Sequence, residues 1–182
     1  MRRGKAVAAL AAFIIVLSTS SAYAQLRLEG NLAWPLVLGV PSSNTLFGGE
    51  SSIDISKYQF LIPDFRIYYQ FGEGMVDGGI GLRVPTLLIV SAFYPEAFVE
   101  LNLKPLVLEG TLGGLLFGFF GFGVTGFAAE PLLTSDINAS FELAPWFRLG
   151  GGVYFFVPAD STFSQNFVYV GYISARFVFL MK

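Results

Sequence analysis

The 182-residue sequence has no cysteine and no histidine. Without thiols there is no disulfide framework, no cysteine nucleophile and no cysteine to carry an N-terminal lipid. Without imidazole, a Ser-His-Asp site, a histidine-based phospholipase and a histidine metal cluster are all excluded. Charge is also scarce. Asp, Glu, Lys and Arg make up 13% of the chain, where roughly a quarter is usual. What replaces them is apolar: 54% of residues are hydrophobic and the mean hydropathy is +0.63. A soluble domain of this size buries only one face of each strand or helix, so that much apolar surface needs an apolar covering.

The N-terminus has three parts. Met1-Arg2-Arg3-Gly4-Lys5 is basic, Ala6 to Leu17 is apolar, and Ala22-Tyr23-Ala24 places small residues at the A-x-A positions before Gln25. This is the layout of a secretory signal peptide cleaved after Ala24. An uncleaved anchor is the rival reading, but the apolar stretch is shorter than the roughly 20 residues a spanning helix needs. The expected division is a leader at 1–24 and one domain at 25–182. Removing the leader takes three of the 11 basic residues and leaves 8 against 13 acidic ones. A net charge of about −5 argues against a nucleic-acid partner.

The domain reads as strands. Leu61, Pro63, Phe65, Ile67, Tyr69 and Phe71 alternate with Ile62, Asp64, Arg66, Tyr68 and Gln70, and beyond Gly72-Glu73-Gly74-Met75 the alternation resumes with Val76, Gly78, Ile80, Leu82 and Val84 against Asp77, Gly79, Gly81 and Arg83. A two-residue turn at 73–74 would set Asp64 opposite Arg83, both on the polar face. The same parity runs through Leu26 to Trp34, with Arg27, Glu29 and Asn31 on its polar side. It continues through Ala97 to Leu103 with Glu100, through Leu106 to Leu116 with Glu109, and through Leu133 to Leu143 with Asp136 and Glu142. Phe147 to Phe155 with Arg148, and Phe167 to Phe179 with Arg176, complete the set. A three-residue loop at 144–146 sets Glu142 against Arg148, and Arg176 falls near Glu29 where the last strand meets the first. One register is awkward: pairing Leu103 with Leu106 brings Glu100 opposite Glu109, which requires either Arg83 between them or a longer turn. Pro63 and Pro85 are expected near strand ends or bulges.

The count is eight strands. Tight turns at 73–74, 104–105 and 144–146 alternate with longer connections near 35–56, 91–96, 118–130 and 157–166. The fold expected is therefore all-β, an eight-stranded antiparallel up-and-down transmembrane β-barrel, polar inside and apolar outside, with short turns on the periplasmic side and loops outside. Aromatic residues at Trp34, Tyr69, Phe71, Trp146, Phe147 and Phe179 fall near strand ends, where interfacial girdles sit. The uncharged run 110–129 is long enough for a membrane helix, but seven of its residues are glycine, which favours a strand to about Phe117 followed by a Gly/Phe-rich loop. A soluble lipocalin-like barrel would need the opposite polarity.

By these features the chain resembles the small eight-stranded outer-membrane proteins of the OmpA-like, OmpX-like and OmpW-like barrels. The resemblance covers about residues 25–182 and rests on the alternating pattern, Ala22-Tyr23-Ala24 and the aromatic last strand. Family members usually end on an aromatic residue read by the barrel-assembly machinery, whereas this chain ends Phe177-Val178-Phe179-Leu180-Met181-Lys182. The resemblance implies a monomer in the outer membrane of a diderm bacterium, with outer-membrane lipid and, during biogenesis, that machinery as partners.

For function, Arg27, Arg66, Arg83, Arg148 and Arg176 against Glu29, Asp64, Asp77, Glu100, Glu109, Asp136 and Glu142 read as an ion-pair network filling the lumen, since buried charges need partners in any barrel. A proton path or an acid and base pair is the functional alternative. No catalytic residue, cofactor or metal site is expected. Glu50 and Asp54 alone fall short of the six or more oxygen ligands that Ca²⁺ takes, and the Gly-rich run lacks the Lys and Ser/Thr of a phosphate loop. The expected role is structural or surface-exposed, through external loops. An OmpW-like alternative is transport of a small hydrophobic molecule, with Leu115, Phe117, Phe119 and Phe120 lining an upper pocket; a lipid-modifying enzyme is a third reading, disfavoured by the lack of histidine.

Overall fold

The computed structural model describes residues 25–39, 52–58, 60–72, 74–87, 90–121, 124–128, 132–158 and 167–181. The expected leader lies outside them. The described elements are β1 (Gln25–Gly39), β2 (Ser52–Asp54), a 3-10 turn (Ser56–Tyr58), β3 (Ile62–Phe71), β4 (Val76–Leu87), β5 (Val90–Leu103), β6 (Leu106–Gly114), β7 (Phe117–Gly121), β8 (Val124–Ala128), β9 (Leu132–Ala144), β10 (Phe147–Pro158) and β11 (Val168–Met181). Eight of the strands close into a ring. In chain order β1, β3, β4, β5, β6, β9, β10 and β11 each pair antiparallel with the next, and β11 returns to β1. Closure leaves no sheet edge along the wall, which lets strands cross hydrocarbon without unpaired backbone groups. Among the described residues no helix is long and apolar enough to cross a membrane.

Polarity is inverted. On β3, Asp64, Arg66, Tyr68 and Gln70 are 0–3% exposed, while Phe65, Ile67 and Tyr69 are 49–56% exposed. The same alternation places Val76, Ile80 and Leu82 of β4, Val99 of β5, Leu112 of β6, Ile137 and Phe141 of β9 and Phe179 of β11 on the outer wall. A soluble barrel of the lipocalin kind reverses this pattern. At the turn end, Trp146 stacks on Phe177 and Phe147 packs against the same ring, with centroids 6.2 and 5.2 Å apart, an aromatic collar where headgroups would lie.

Several sequence expectations shift. The first hairpin has a four-residue connection, not a two-residue turn: Gly72 takes a positive φ of 87°, and the Gly74 amide donates to Asp77 Oδ1 at 2.9 Å. That cap lengthens the loop, so Arg66 faces Arg83 and Asp64 faces Pro85. A slip of two residues preserves which side chains point inward. The connection expected at 91–96 is strand: β4 and β5 pair up to Leu87 with Val90, so that upper connection is as short as the lower turns and the wall rises there. The 110–129 run is neither helix nor simple loop. β6 ends at Gly114, with Gly114 and Leu115 both at positive φ, and β7 and β8 then form a hairpin whose first strand pairs with Ser91 to Phe93 of β5. β1 passes through Pro35 to Gly39, its register shifting between Pro35 and Val37. Near the upper end the Tyr169 ring lies against Gly39 and leaves no room for a Cβ there.

The candidate functional site inside the barrel

Alternation along eight strands delivers the charged residues to one place. Arg27 and Glu29 come from β1, Asp64 and Arg66 from β3, Arg83 from β4, Glu96 and Glu100 from β5, Glu109 from β6, Asp136 from β9, Arg148 from β10 and Arg176 from β11. All are buried. Every wall strand contributes at least one.

Near the turn end, Arg27 pairs with Glu29 beside it and with Glu100 across the lumen at 2.7 Å, and lies 3.5 Å from Glu109. Arg148 grips Glu100 at 2.6 and 3.2 Å. Glu100 and Glu109 do face each other across the Lys104-Pro105 turn. The turn is not longer than two residues and Arg83 does not lie between them; Arg27 does, because β1 sits across a narrow lumen whose centre is within reach of a long guanidinium. At mid-depth Glu109 receives Arg176 at 2.6 Å and Arg66 at 2.7 Å. Arg176 is 3.9 Å from Glu29, so the seam neighbour expected from sequence is the looser partner and Glu109 the tight one. Higher, Arg66 reaches Asp136 at 2.9 Å, and Arg83 holds Asp64 at 2.7 Å and Glu96 at 2.9 Å. The Asp64–Arg83 pair thus forms despite the shifted register, diagonally along the same face.

Tyrosines and aromatic faces complete the layer. Tyr68 donates to Glu96, Tyr172 donates to Asp136 at 2.7 Å, and the Tyr154 hydroxyl donates to Asp64 at 3.3 Å. The Arg83 guanidinium lies 4.5 Å from the Tyr154 ring centroid, and Arg27 lies 4.8 Å from that of Phe98. Such contacts satisfy donors and disperse charge that hydrocarbon-bounded walls cannot solvate.

Two of the sequence-named residues sit apart. Asp77 has no ion pair among the described residues; its carboxylate accepts from the Gly74 amide and, at 2.9 Å, from Asn102. Glu142 lies at the turn-end rim, opposite Arg148 in register but 3.6 Å from it and 3.7 Å from the exposed Lys104. Conversely, sequence reading missed Glu96, which binds Arg83, Tyr68 and Thr111. Its signal was the parity Tyr94, Glu96, Phe98, Glu100, obscured by Pro95 between them.

Of the two loop acids, Glu50 lies outside the described residues. Asp54 is occupied by Ser56, whose hydroxyl donates at 2.6 Å and whose amide donates at 3.0 Å; these bonds hold its carboxyl below the usual range. Among the described residues no group of three or more acidic side chains could hold a metal ion.

A ring closed by hydrogen bonds, apolar outside and charged within, is a transmembrane β-barrel of the small outer-membrane type. No family model and no curated protein matches the sequence. Among solved structures, the chain is similar to Neisserial surface protein A (11% identity, TM-score 0.45, covering 84% of this chain and 96% of that one). It is also similar to Ail, the attachment invasion locus protein of Yersinia pestis (13%, TM-score 0.38, 86% and 99%), and to the outer-membrane protein AlkL (12%, TM-score 0.37, 87% and 91%). The class assignment rests on the closed ring and its polarity, not on these likenesses.

Proposed function

We propose that this is an outer-membrane barrel whose lumen is filled by its own side chains and whose role is structural or is exercised at the cell surface through its external loops. The ion-pair network carries this reading: its members come from all eight wall strands and pair within the lumen, most of them across it, at 2.6–2.9 Å. A solute on that path would have to separate buried charge pairs, at several kcal/mol per ion. The turns at 104–105 and 145–146 would face the periplasm, and the opposite ends of the wall strands the exterior. Outer-membrane lipid surrounds a monomer, inserted after export by the barrel-assembly machinery.

Transport of a small hydrophobic molecule has less support. The aromatic residues that would line an upper pocket divide between two faces: Phe117 packs on inward-facing Tyr94, with centroids 5.2 Å apart, whereas Phe120 joins Phe93 and Phe127 on the other face. Leu115 is exposed. Proteoliposomes loaded with a self-quenched dye, then challenged with small sugars or a hydrophobic solute, test both readings. Fluxes equal to those of empty vesicles are expected, and solute flux above that baseline would overturn the filled-lumen reading.

A further inference from the structure

The side chains that fill the central lumen stop short of its turn end. Between the network and the periplasmic-side turns lies a cavity of about 340 Å³, lined by Gln25, Asp77, Lys104, Glu142 and Arg148 among others. That is within the roughly 300–1,000 Å³ of small-molecule sites. Two of its side chains are buried yet incompletely bonded. Gln25 is 7% exposed and its amide oxygen has no hydrogen-bond partner; Arg148 is 5% exposed, and its Nε–H has none although both terminal nitrogens bind Glu100. Buried polar atoms left unpaired are costly, and in side chains that line a cavity open to the turn end they are available to an occupant.

The two needs are complementary. Arg148 Nε requires an acceptor and Gln25 Oε1 requires a donor. The same lining carries one cation and two anions in loose pairs or none: Lys104, 75% exposed in its side chain, Glu142, 3.7 Å from it and 3.6 Å from Arg148, and Asp77, which has no ion pair among the described residues. At those separations neither Lys104 nor Glu142 is committed to a hydrogen bond.

From this arrangement we infer that the turn-end vestibule binds a small zwitterion of the amino-acid or short-peptide class. Its carboxylate lies on Arg148 Nε and Lys104, and its ammonium on Gln25 Oε1 and Glu142. A lone anion would meet the Asp77 and Glu142 carboxylates and a lone cation would meet Lys104 and Arg148, so a ligand carrying both charges suits the lining best. The inference is independent of the filled lumen above it and of the proposed orientation.

The test is calorimetric titration of the membrane-purified protein in detergent micelles with alanyl-alanine. Parallel titrations use its N-acetylated form, which lacks the ammonium, and its C-terminal amide, which lacks the carboxylate. Saturable binding of the free dipeptide is expected, weakened about tenfold or more by either cap and by Lys104→Met or Glu142→Gln. Both substitutions fall at the rim and leave the central pairs intact, and gel mobility of the unheated protein confirms that each variant is folded. No saturable heat up to about 10 mM peptide, equal binding of the capped peptides, or folded variants that bind as well as the parent would each overturn the inference. Because the titration is done in micelles, a leaky lumen or a reversed orientation would not mimic any of these results.

Discussion

Replacing Arg27 by Met removes the one cation that stands between two facing carboxylates. Arg27 is 1% exposed and lies 2.7 Å from Glu100 and 3.5 Å from Glu109, which are directly paired across β5 and β6. Breaking a buried ion pair by deleting one partner costs about 3–5 kcal/mol. Two like charges at about 4 Å repel by about 4 kcal/mol at an effective dielectric constant near 20. The loss should fall toward the lower figure, about 3 kcal/mol, because Glu100 keeps Arg148 at 2.6 Å and Glu109 keeps Arg176 at 2.6 Å and Arg66 at 2.7 Å. The measurement is a urea titration in lipid vesicles, read by the mobility difference between folded and heat-unfolded protein on a gel. The double variant Arg27→Met with Glu100→Gln should lose less than the two single losses added together, since the repulsion that Arg27 relieves is then absent. A midpoint unchanged by Arg27→Met, or strictly additive losses in the double variant, would refute the claim that Arg27 neutralises this carboxylate pair.

Three further outcomes follow from the wall. Because the chain has no native cysteine, Leu28→Cys with Phe179→Cys should crosslink β1 to β11, which pair at those positions; the product is a covalently closed chain with altered gel mobility after heating, and failure to crosslink would speak against closure. For the first hairpin, Ile67→Cys should crosslink efficiently with Leu82→Cys, its partner in register, and poorly with Ile80→Cys; the reverse preference would restore the two-residue turn. Ile137, 61% exposed on the outer wall, should tolerate Val, while Ile137→Arg should lower the unfolding free energy in vesicles by about 2–4 kcal/mol if it lies near the bilayer midplane, and an unchanged midpoint would move that face out of lipid.

How far the sequence could be read depended on the kind of signal each feature leaves. The inward or outward direction of Asp64, Arg66, Ile67 and Tyr69 was legible because a period of two survives any even error in register. The register itself was not. It depends on the Asp77 carboxylate capping Gly74, a contact between side chain and backbone that composition does not announce. β5 was started too late because Pro95 reads as a break, yet Pro95 sits opposite Leu82 within the ladder; Glu96 was missed with it. The β7–β8 hairpin was hidden for the opposite reason, since a run of Gly and Phe carries no alternation of polarity to reveal a strand. As for the charges, the set meeting in the lumen could be named from parity, but partners such as Arg27 with Glu100, 73 positions apart, arise from closure and lie beyond any local pattern.

The wiring of the interior bears on how such a chain enters a bilayer. Arg27 and Arg66 are neutralised largely by residues on strands that are distant in sequence and come within reach only once the ring is shut. A flat or half-curled sheet slipping into hydrocarbon would carry those guanidinium groups with only their same-strand partners Glu29 and Asp64, an expensive cargo at that depth. Curling and insertion must therefore advance together.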